Sequence, residues 1–253
     1  AGPGGMTVAF GIAILMNFFS YWFSDKIVLK MYSAEEVDRS EAPELYRMVD
    51  RLRKQAGLPM PRVFVIPKDQ PNAFATGRNP DNAVVAVTEG IMRQLDDDEL
   101  EGVLAPETAH IQHRVIQVAR VAAPPAAAVT LRLRFGFFFG GRRDNFASGL
   151  LMMILAPIAA MLIQMAISRS REYGADRDGA EICRNPNSLA DALEKLERGA
   201  QQKQMEANQA TSHMFIVNPF SGGGAGLMRL FSTHPPTEER VSRLREMART
   251  GPR

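Results

Sequence analysis

Cysteine is almost missing from this chain of 253 residues, which has Cys183 alone. A single thiol cannot form a disulfide within the chain, and it cannot build a zinc site from thiolates. The lack of disulfides places the functional part of the protein in a reducing compartment. We therefore interpret Cys183 as a small buried hydrophobic residue.

The chain also lacks an excess of charge of either sign. Its 30 basic and 28 acidic side chains give a formal net charge of +2. The basic residues are scattered among acidic ones, and they form no stripe with interleaved aromatic residues of the kind that nucleic-acid-binding surfaces use. The sequence therefore excludes nucleic acid as an expected partner.

Long apolar runs, by contrast, are present twice. Residues 6–23 contain no charge over 18 residues and end near Tyr21 and Trp22, aromatic side chains typical of a membrane interface. Residues 150–167 form a second run of 18 residues, in which Gln164 is the only polar side chain. Both runs predict membrane spans. A buried core helix is the alternative for the second, because 18 residues is the lower end of spanning length.

The regions between these runs indicate a mainly helical domain with a small sheet. Residues 35–56 place Leu45, Val49 and Leu52 on one helical face, which predicts an amphipathic helix. Residues 62–66 and 83–88 are short β-branched runs and predict two strands, and the Pro, Asn and Gly residues between them predict turns.

The segment LAPETAHIQHR, residues 104–114, carries the strongest indication of chemistry. Two histidines four residues apart on a helix can bind one zinc ion, and a glutamate next to the first can activate the metal-bound water. Glu107 and His110 have the spacing of the base and the second histidine, but Pro106 stands where the first histidine belongs. By itself, Glu-x-x-His is a weak pattern that also occurs in ordinary pairs on helix surfaces.

A second acidic segment, SRSREYGAD at residues 168–176, follows the second apolar run. Glu172 and Asp176 lie four residues apart, so they share one face of a helix. One carboxylate could bind zinc while the other orients a ligand histidine.

With these segments the chain resembles the HtpX-type membrane zinc metalloproteases, relatives of the CAAX prenyl proteases, across nearly its whole length. The matching stretches are, in order, NFFSYWFSDKIVLKMY, PNAFATGRNPDNAVVAVTEGI, the E-x-x-H-x-x-H-R motif, SRSREYGADRDGAEI and FSTHPPTEERVSRL. The resemblance implies a mainly α fold with a small β-sheet, in which a gluzincin-like (zincin) metalloprotease domain is attached to transmembrane helices. It implies a stress-response endopeptidase of protein quality control that cleaves membrane or misfolded proteins and holds one Zn2+ per chain.

The resemblance also implies a division of the chain and a location. The protein is expected in the inner (cytoplasmic) membrane as a multi-pass protein, with the lipid bilayer as a partner and the catalytic domain on the cytoplasmic side. The expected parts are an N-terminal transmembrane segment (1–30), the first part of the protease domain with the E-x-x-H helix (31–114), an irregular segment in place of a membrane helix (115–149), a transmembrane helix (150–167) and the second part of the protease domain with the glutamate ligand (168–253).

Roles follow residue by residue from the resemblance. Glu107 matches the general base, His110 and Glu172 match two zinc ligands, and Asp176 matches the acid that braces the first histidine. These four residues are expected to converge in a polar cleft, although they lie in two separate segments.

An edge strand beside the cleft is implied as the place where an extended substrate backbone pairs. We expect the strand at residues 83–88 to line this rim. His234 in STHPP lies either near the cleft or in ordinary loop packing. The residues expected to contact substrate are Asn72, Ala73, Val84, Val85 and Ala86.

The departures from the family cluster in one window, residues 106–140. Pro106 removes both a zinc ligand and a backbone N–H, and proline in a helix interior costs about 3 kcal/mol. We therefore expect a kink or break just before Glu107. Further along, Pro124, Pro125 and several arginines interrupt the segment where the family has a membrane helix.

Two functional hypotheses remain open. An active zinc endopeptidase would need His113, three residues beyond His110, to replace the lost ligand, although this shifts the metal away from Glu107. The alternative is a protease fold without activity that serves as a membrane-protein binding or scaffolding subunit. A transporter or channel fragment has little support, because the ionisable residues of interest lie outside the apolar runs.

Overall fold

The computed structural model describes residues 11–12, 14–15, 18, 22–23, 25–113, 167–202, 216 and 235–251. Residues 25–31 and 167–183 are helical, and the latter are called the 167–183 helix. The other elements are β1 (Glu35–Glu36), α1 (Pro43–Gln55), β2 (Arg62–Ile66), β3 (Ala73–Thr76), a 3-10 turn (Pro80–Asn82), β4 (Val84–Thr88), α2 (Glu89–Gln94), α3 (Asp97–Gln112), α4 (Pro186–Gln202) and α5 (Thr237–Thr250). The mainly helical architecture with a small sheet agrees with the prediction.

The four strands form one mixed sheet in the order β1-β2-β4-β3. β2 runs parallel to β4, whereas β1 and β3 are antiparallel to their neighbours. The expectation that residues 83–88 line the rim is wrong, because β4 lies inside the sheet and β3 occupies that edge. The segment between residues 66 and 83, interpreted as turns, contains β3, which pairs antiparallel with β4. The turn between these two strands is capped by the Asn79 side chain, which accepts a hydrogen bond from the Asn82 amide.

The sheet is covered on both faces, which explains why all five residues of β4 are buried. Successive residues of a strand point to opposite faces. On one face, Val63 and Val85 pack in the main core with α1 and α3. On the other face, Phe64 and Phe74 pack with Leu29, from the helical residues before β1.

Helix α1 confirms the predicted amphipathic helix, but it begins later than expected. Leu45, Val49 and Leu52 are buried on one face, and Gly57, at φ +67°, follows the helix end. The first residues of the predicted helix form β1 instead. They are exposed, and a Glu36–Arg62 ion pair of 2.6 Å accompanies their pairing with β2.

Helix α3 carries the central motif and runs from Asp97 to Gln112 with Pro106 inside it. The expected break before Glu107 is therefore wrong. A capping box between Asp96 and Glu99 stabilises the helix start. Because α3 packs against α1, β3 and α4 and buries most of its residues, this packing offsets the hydrogen bond that proline removes.

The 167–183 helix crosses α3 in close contact at Pro106. A Cβ atom added to Gly179 would lie 2.5 Å from the Pro106 nitrogen and 2.8 Å from its Cα. No side chain other than hydrogen fits at this crossing without a shift of one helix. The contact fixes the 167–183 helix, and with it Glu172 and Asp176, relative to α3.

Membrane spans are not found within the described ranges, where no helix combines the length and the apolar character that a crossing needs. The predicted spans at residues 6–23 and 150–167 lie mostly outside these ranges. Residues 115–149, expected to be an irregular segment, lie entirely outside these ranges.

Candidate catalytic site

His110 on α3 faces Glu172 on the 167–183 helix. The His110 Nε2 atom lies 3.8 Å from Glu172 Oε1, and the two side chains are 16% and 19% exposed. This distance is too long for a hydrogen bond. The other ring nitrogen, Nδ1, is buried and has no hydrogen-bond partner among the described residues. A ring nitrogen and a carboxylate oxygen thus face each other without a direct bond.

Glu107, the residue expected to act as general base, lies beside the sheet edge. Its Oε2 atom accepts a hydrogen bond of 2.9 Å from the backbone amide of Ala75 in β3. The carboxylate is half-buried between α3 and β3. A strand amide therefore holds the carboxylate in place, although the two residues are 32 positions apart in sequence.

Asp176 is bound by an arginine that the sequence analysis did not single out. The Arg240 guanidinium of α5 donates two hydrogen bonds to the Asp176 carboxylate, at 2.7 and 2.8 Å. Its third contact is a bond of 3.2 Å to the carbonyl oxygen of Ile216. Both charged side chains are buried, at 5% and 7% exposure. A paired geometry of this kind is what makes a buried charge tolerable.

Three acidic residues act together on the pKa of Arg240. Burial alone would lower the pKa of Arg240, but the negative charge of Asp176, with further contributions from Glu172 and Glu107, raises its pKa above the ordinary value. One buried positive charge therefore interacts with three carboxyl groups. The structure brings together the four residues that the sequence analysis expected to converge.

His113 points to a different partner. Its Nε2 atom lies 2.8 Å from Asp178 Oδ2, and its side chain is 51% exposed. The histidine proposed as a substitute ligand is thus engaged with Asp178 rather than with Glu172. His234, the other candidate, lies outside the described residues.

The backbone directions in β3 identify its outward-facing groups. The Thr88 amide donates to the Asn72 carbonyl at 2.9 Å, so Asn72 faces β4. In an antiparallel pair, residues alternate between facing the partner and facing away. With the observed register, Ala73 and Ala75 direct their N–H and C=O groups away from β4. No strand in the described part of the chain pairs with this outward side.

The same alternation gives the backbone directions of Val84, Val85 and Ala86, which were also expected to contact substrate. Val84 and Ala86 turn their backbone groups to β3, and Val85 turns its groups to β2. Their N–H and C=O groups are therefore used within the sheet and do not form an edge. Of the five residues expected to contact substrate, only Ala73 directs its backbone groups away from β4, and this residue is 2% exposed. Their contact with substrate stays a prediction.

The residues present only partly fit a zinc ion. Zinc–ligand bonds of about 2.0–2.2 Å would allow an ion between His110 and Glu172 at their observed separation. A catalytic zinc site uses three protein ligands, however, and Pro106 has no donor atom. No group of three or more His, Cys, Asp or Glu side chains in the described ranges could hold a metal. The site as built therefore does not fit a complete catalytic zinc site.

Two groups that bind the acidic residues of the site were not predicted from the sequence: the Arg240 side chain and the backbone amide of Ala75. Arg240 precedes Leu244 by four residues, so the two share a helical face, and both are buried. A basic residue on the buried face of a helix is a signal for a buried acidic partner. The Ala75 amide has no such signal, because backbone direction depends on strand register, which the sequence alone does not specify.

Comparison with known proteins agrees with this arrangement. The family model described as peptidase family M48 matches residues 39–248. A Protease HtpX homolog of Salinibacter ruber is 67% identical over 247 residues, which cover 98% of this chain and 90% of that protein. A Protease HtpX homolog of Burkholderia thailandensis is 54% identical over 258 residues and covers 99% and 90% of the two chains.

A solved structure shows the same fold at lower identity. The crystal structure of S. mikatae Ste24p aligns with a TM-score of 0.59 at 20% identity, over 94% of this chain and 56% of that chain. This likeness concerns the fold alone. The family match and the two protease relatives confirm the resemblance to HtpX-type proteases, and they show that the chain belongs to peptidase family M48.

Proposed function

We propose that the protein is a membrane-bound endopeptidase by descent, acting in protein quality control on extended segments of membrane or misfolded proteins, whose zinc site has lost one ligand. One observation carries the proposal. His110 and Glu172 face each other at 3.8 Å, and Pro106 stands four residues before His110 on α3, where the resemblance implies a histidine ligand.

The arrangement keeps most parts of a peptidase site. Glu107 is held against β3, Asp176 is held by Arg240, and the outward side of β3 can pair with an extended backbone. The third ligand is the missing part. Since His113 contacts Asp178, we do not expect it to complete the site.

The unmodified chain is accordingly expected to cleave casein at or near the background rate. Two ligands in place of three leave a metal ion weakly held. Cleavage by the purified chain should differ little from cleavage by Glu107→Ala, and a chelator should change neither. Robust cleavage that a chelator abolishes would contradict this expectation, and loss of that cleavage in His113→Ala would identify His113 as the third ligand.

We further propose that the chain is integrated in the inner membrane through residues 6–23 and 150–167, with its catalytic domain on the cytoplasmic side. The described part of the first segment supports this proposal. Ile12, Leu15, Phe18 and Trp22 expose between 44% and 57% of their surface, which is unusual for large apolar side chains in water.

Membrane integration predicts that the full-length chain stays in the pellet when membranes are washed with alkaline carbonate or with high salt. Transmembrane helices resist both treatments, whereas surface-bound proteins are released. A peripheral membrane protein processed in parallel is the control. Recovery of the full-length chain in the supernatant without detergent would show that the spanning assignment is wrong.

A second function, the binding of membrane proteins without cleavage, is favoured by one separate observation. The outward side of β3 is formed by backbone groups and does not depend on a metal ion. A chain that binds extended peptides but does not cleave them would act as a binding subunit. Measuring peptide binding and casein cleavage on the same preparation distinguishes the two functions.

A further inference from the structure

The turn between β3 and β4 (residues 77–83), called the β3–β4 turn, contacts the helical segment that precedes the sheet. The guanidinium carbon of Arg78 lies 4.8 Å from the centre of the Trp22 ring. A cation within about 6 Å of a ring centre is attracted by the negative face of the ring. Arg78 also donates a hydrogen bond of 3.1 Å to Asn82 Oδ1 within the turn. Arg78 therefore links the β3–β4 turn to Trp22.

The segment that contains Trp22 also packs on the sheet further along the chain. Leu29 is 6% exposed and lies in one cluster with Phe64 of β2 and Phe74 of β3. The ring centres of Tyr32 and Phe74 are 5.9 Å apart. Together with the contact of Arg78 and Trp22, this packing holds the sheet beside the end of the first apolar run.

Trp22 keeps a large exposed surface in spite of its contact with Arg78. It is 44% exposed and stacks on Phe18, which is 54% exposed, with ring centres 5.5 Å apart. Tryptophan side chains are enriched at the level of lipid headgroups, where the ring meets apolar groups and the N–H meets polar ones. A side chain that lies on Trp22 is then at headgroup level as well.

Two lysines add positive charge to the same segment. Lys26 Nζ lies 5.9 Å from the centre of the Phe23 ring. Lys26 and Lys30 are both exposed and stand four residues apart on a helix, so they share one face. With Arg78, they place three positive charges next to the end of the first apolar run.

The acidic residues of the segment 22–32 and of the β3–β4 turn are fewer. Asp25 acts on Arg62 of β2, whose pKa is raised mainly by Glu36 and to a smaller extent by Asp25. Asp81 is the other acidic residue and is exposed. The three cations therefore outnumber the acidic residues, and this surface has the charge that attracts anionic lipids.

We propose that the β3–β4 turn lies against the headgroup layer of the membrane, and that Arg78, with Lys26 and Lys30, binds the phosphate of an anionic phospholipid. A guanidinium can stack on an aromatic face and donate to a phosphate at the same time, because its N–H groups lie in its plane. The inference rests on the proposed membrane integration through residues 6–23.

This lipid contact brings the candidate site close to the bilayer. The Ala75 amide, which holds Glu107, stands three residues before Arg78. Three residues span at most about 10 Å of extended chain. A phospholipid bound at Arg78 therefore places the β3 end of the site near the membrane surface, where segments of membrane proteins emerge from the bilayer.

The test uses Trp22 as a reporter at the lipid site, since it is the only tryptophan of the chain. The full-length chain is reconstituted into vesicles of equal parts phosphatidylcholine and phosphatidylglycerol, with bromine on the acyl chains of one lipid or of the other. Brominated lipids quench tryptophan fluorescence on contact. The ratio of the two quenching levels gives the relative binding constant of the anionic lipid beside Trp22, and vesicles without bromine give the unquenched fluorescence of each variant.

Phosphatidylglycerol should quench Trp22 more strongly than phosphatidylcholine in the parent chain. Arg78→Gln should lower the relative binding constant about fivefold, the effect of one basic residue near an anionic surface. Arg78→Lys keeps the charge and should stay within about twofold of the parent. Arg47→Gln is the matched control, because Arg47 is exposed on α1, which packs on the other face of the sheet, and it should leave the preference unchanged.

Equal quenching by the two lipids in the parent would overturn the inference and leave membrane integration intact. An unchanged preference in Arg78→Gln, or an equal loss in Arg47→Gln, would overturn it too, because no lipid would then be bound by Arg78 in particular. A loss in Arg78→Lys as large as in Arg78→Gln would do the same, since a displaced ring rather than a lost charge would explain both. Quenching by neither lipid would overturn membrane integration as well.

Discussion

Pro106→His is expected to raise zinc binding from a small fraction of the chains to nearly one ion per chain. A histidine at this position lies four residues before His110 on the same helical face, so it supplies the third ligand beside Glu172. Loss of a group that merely supports a ligand costs about 10- to 100-fold in metal affinity, so gain of a complete ligand should exceed about 100-fold. Because α3 is continuous through residue 106, the new side chain needs no rebuilding of the helix.

Elemental analysis after dialysis against a dilute zinc buffer measures this effect. Pro106→Ala is the matched control, since it restores the backbone N–H without adding a donor atom. Zinc content should rise in Pro106→His and stay low in Pro106→Ala. Equal zinc content in the two variants would show that helix geometry, and not the missing ligand, limits metal binding.

Zinc binding by Pro106→His does not by itself imply casein cleavage. Beyond Pro106, the chain has Pro124, Pro125 and several arginines in the segment where the resemblance implies a membrane helix next to the site. Looseness of about 1 Å around a catalytic group is enough to remove activity. We therefore expect Pro106→His to regain zinc without regaining full cleavage, and Pro106→His with Glu107→Ala gives the background rate for that comparison.

Arg240→Leu is expected to lower the free energy of unfolding by about 3–5 kcal/mol, the cost of leaving one partner of a buried ion pair alone. The substitution leaves the Asp176 carboxylate, 7% exposed, without its bidentate partner. Arg240→Lys should be intermediate, because an ammonium group keeps the charge but cannot form the two parallel bonds. Urea unfolding of the full-length chain in detergent, followed by circular dichroism, measures the change.

Arg249 provides the control, since it lies exposed near the end of the same helix. Arg249→Leu should change the unfolding free energy by less than about 1 kcal/mol. The double variant Arg240→Leu with Asp176→Leu should recover much of the loss, because it removes both buried charges. If Arg240→Leu cost no more than Arg249→Leu, the ion pair would not be a buried structural link.

The helices and strands that could be predicted from the sequence are those in which the spacing of apolar residues follows directly from which side chains are buried. α1 follows from the spacing of Leu45, Val49 and Leu52, because a helix with one buried face must repeat apolar residues at that interval. β4 follows from an unbroken β-branched run, as expected for a strand covered on both faces.

The elements that escaped prediction depend on partners distant in sequence. β1 consists of two exposed glutamates that become a strand only by pairing with β2, and β3 becomes a strand only by folding back on β4. In the same way, Pro106 remains helical because neighbouring elements pack around α3. The helix and strand propensities of individual residues do not indicate contacts between segments that are distant in sequence.

The residues of the candidate site also fall into those that the sequence predicted and those that only the folded chain shows. Glu107, His110, Glu172 and Asp176 were identified from spacing and from family resemblance, and the structure brings them together. The Ala75 amide and Arg240 reach the site from β3 and α5, and their contacts become visible only when the chain is folded.

The close crossing at Gly179 also decides which positions can be changed independently. Two of the three atoms that a Cβ at position 179 would meet are the nitrogen and Cα of residue 106, and these are present whichever amino acid stands there. A residue larger than glycine at position 179 therefore meets the backbone of α3 whether residue 106 is a proline or a histidine. The side chain at position 106 can be exchanged without relieving this constraint, so the spacing of the two helices is set independently of the chemistry at that position.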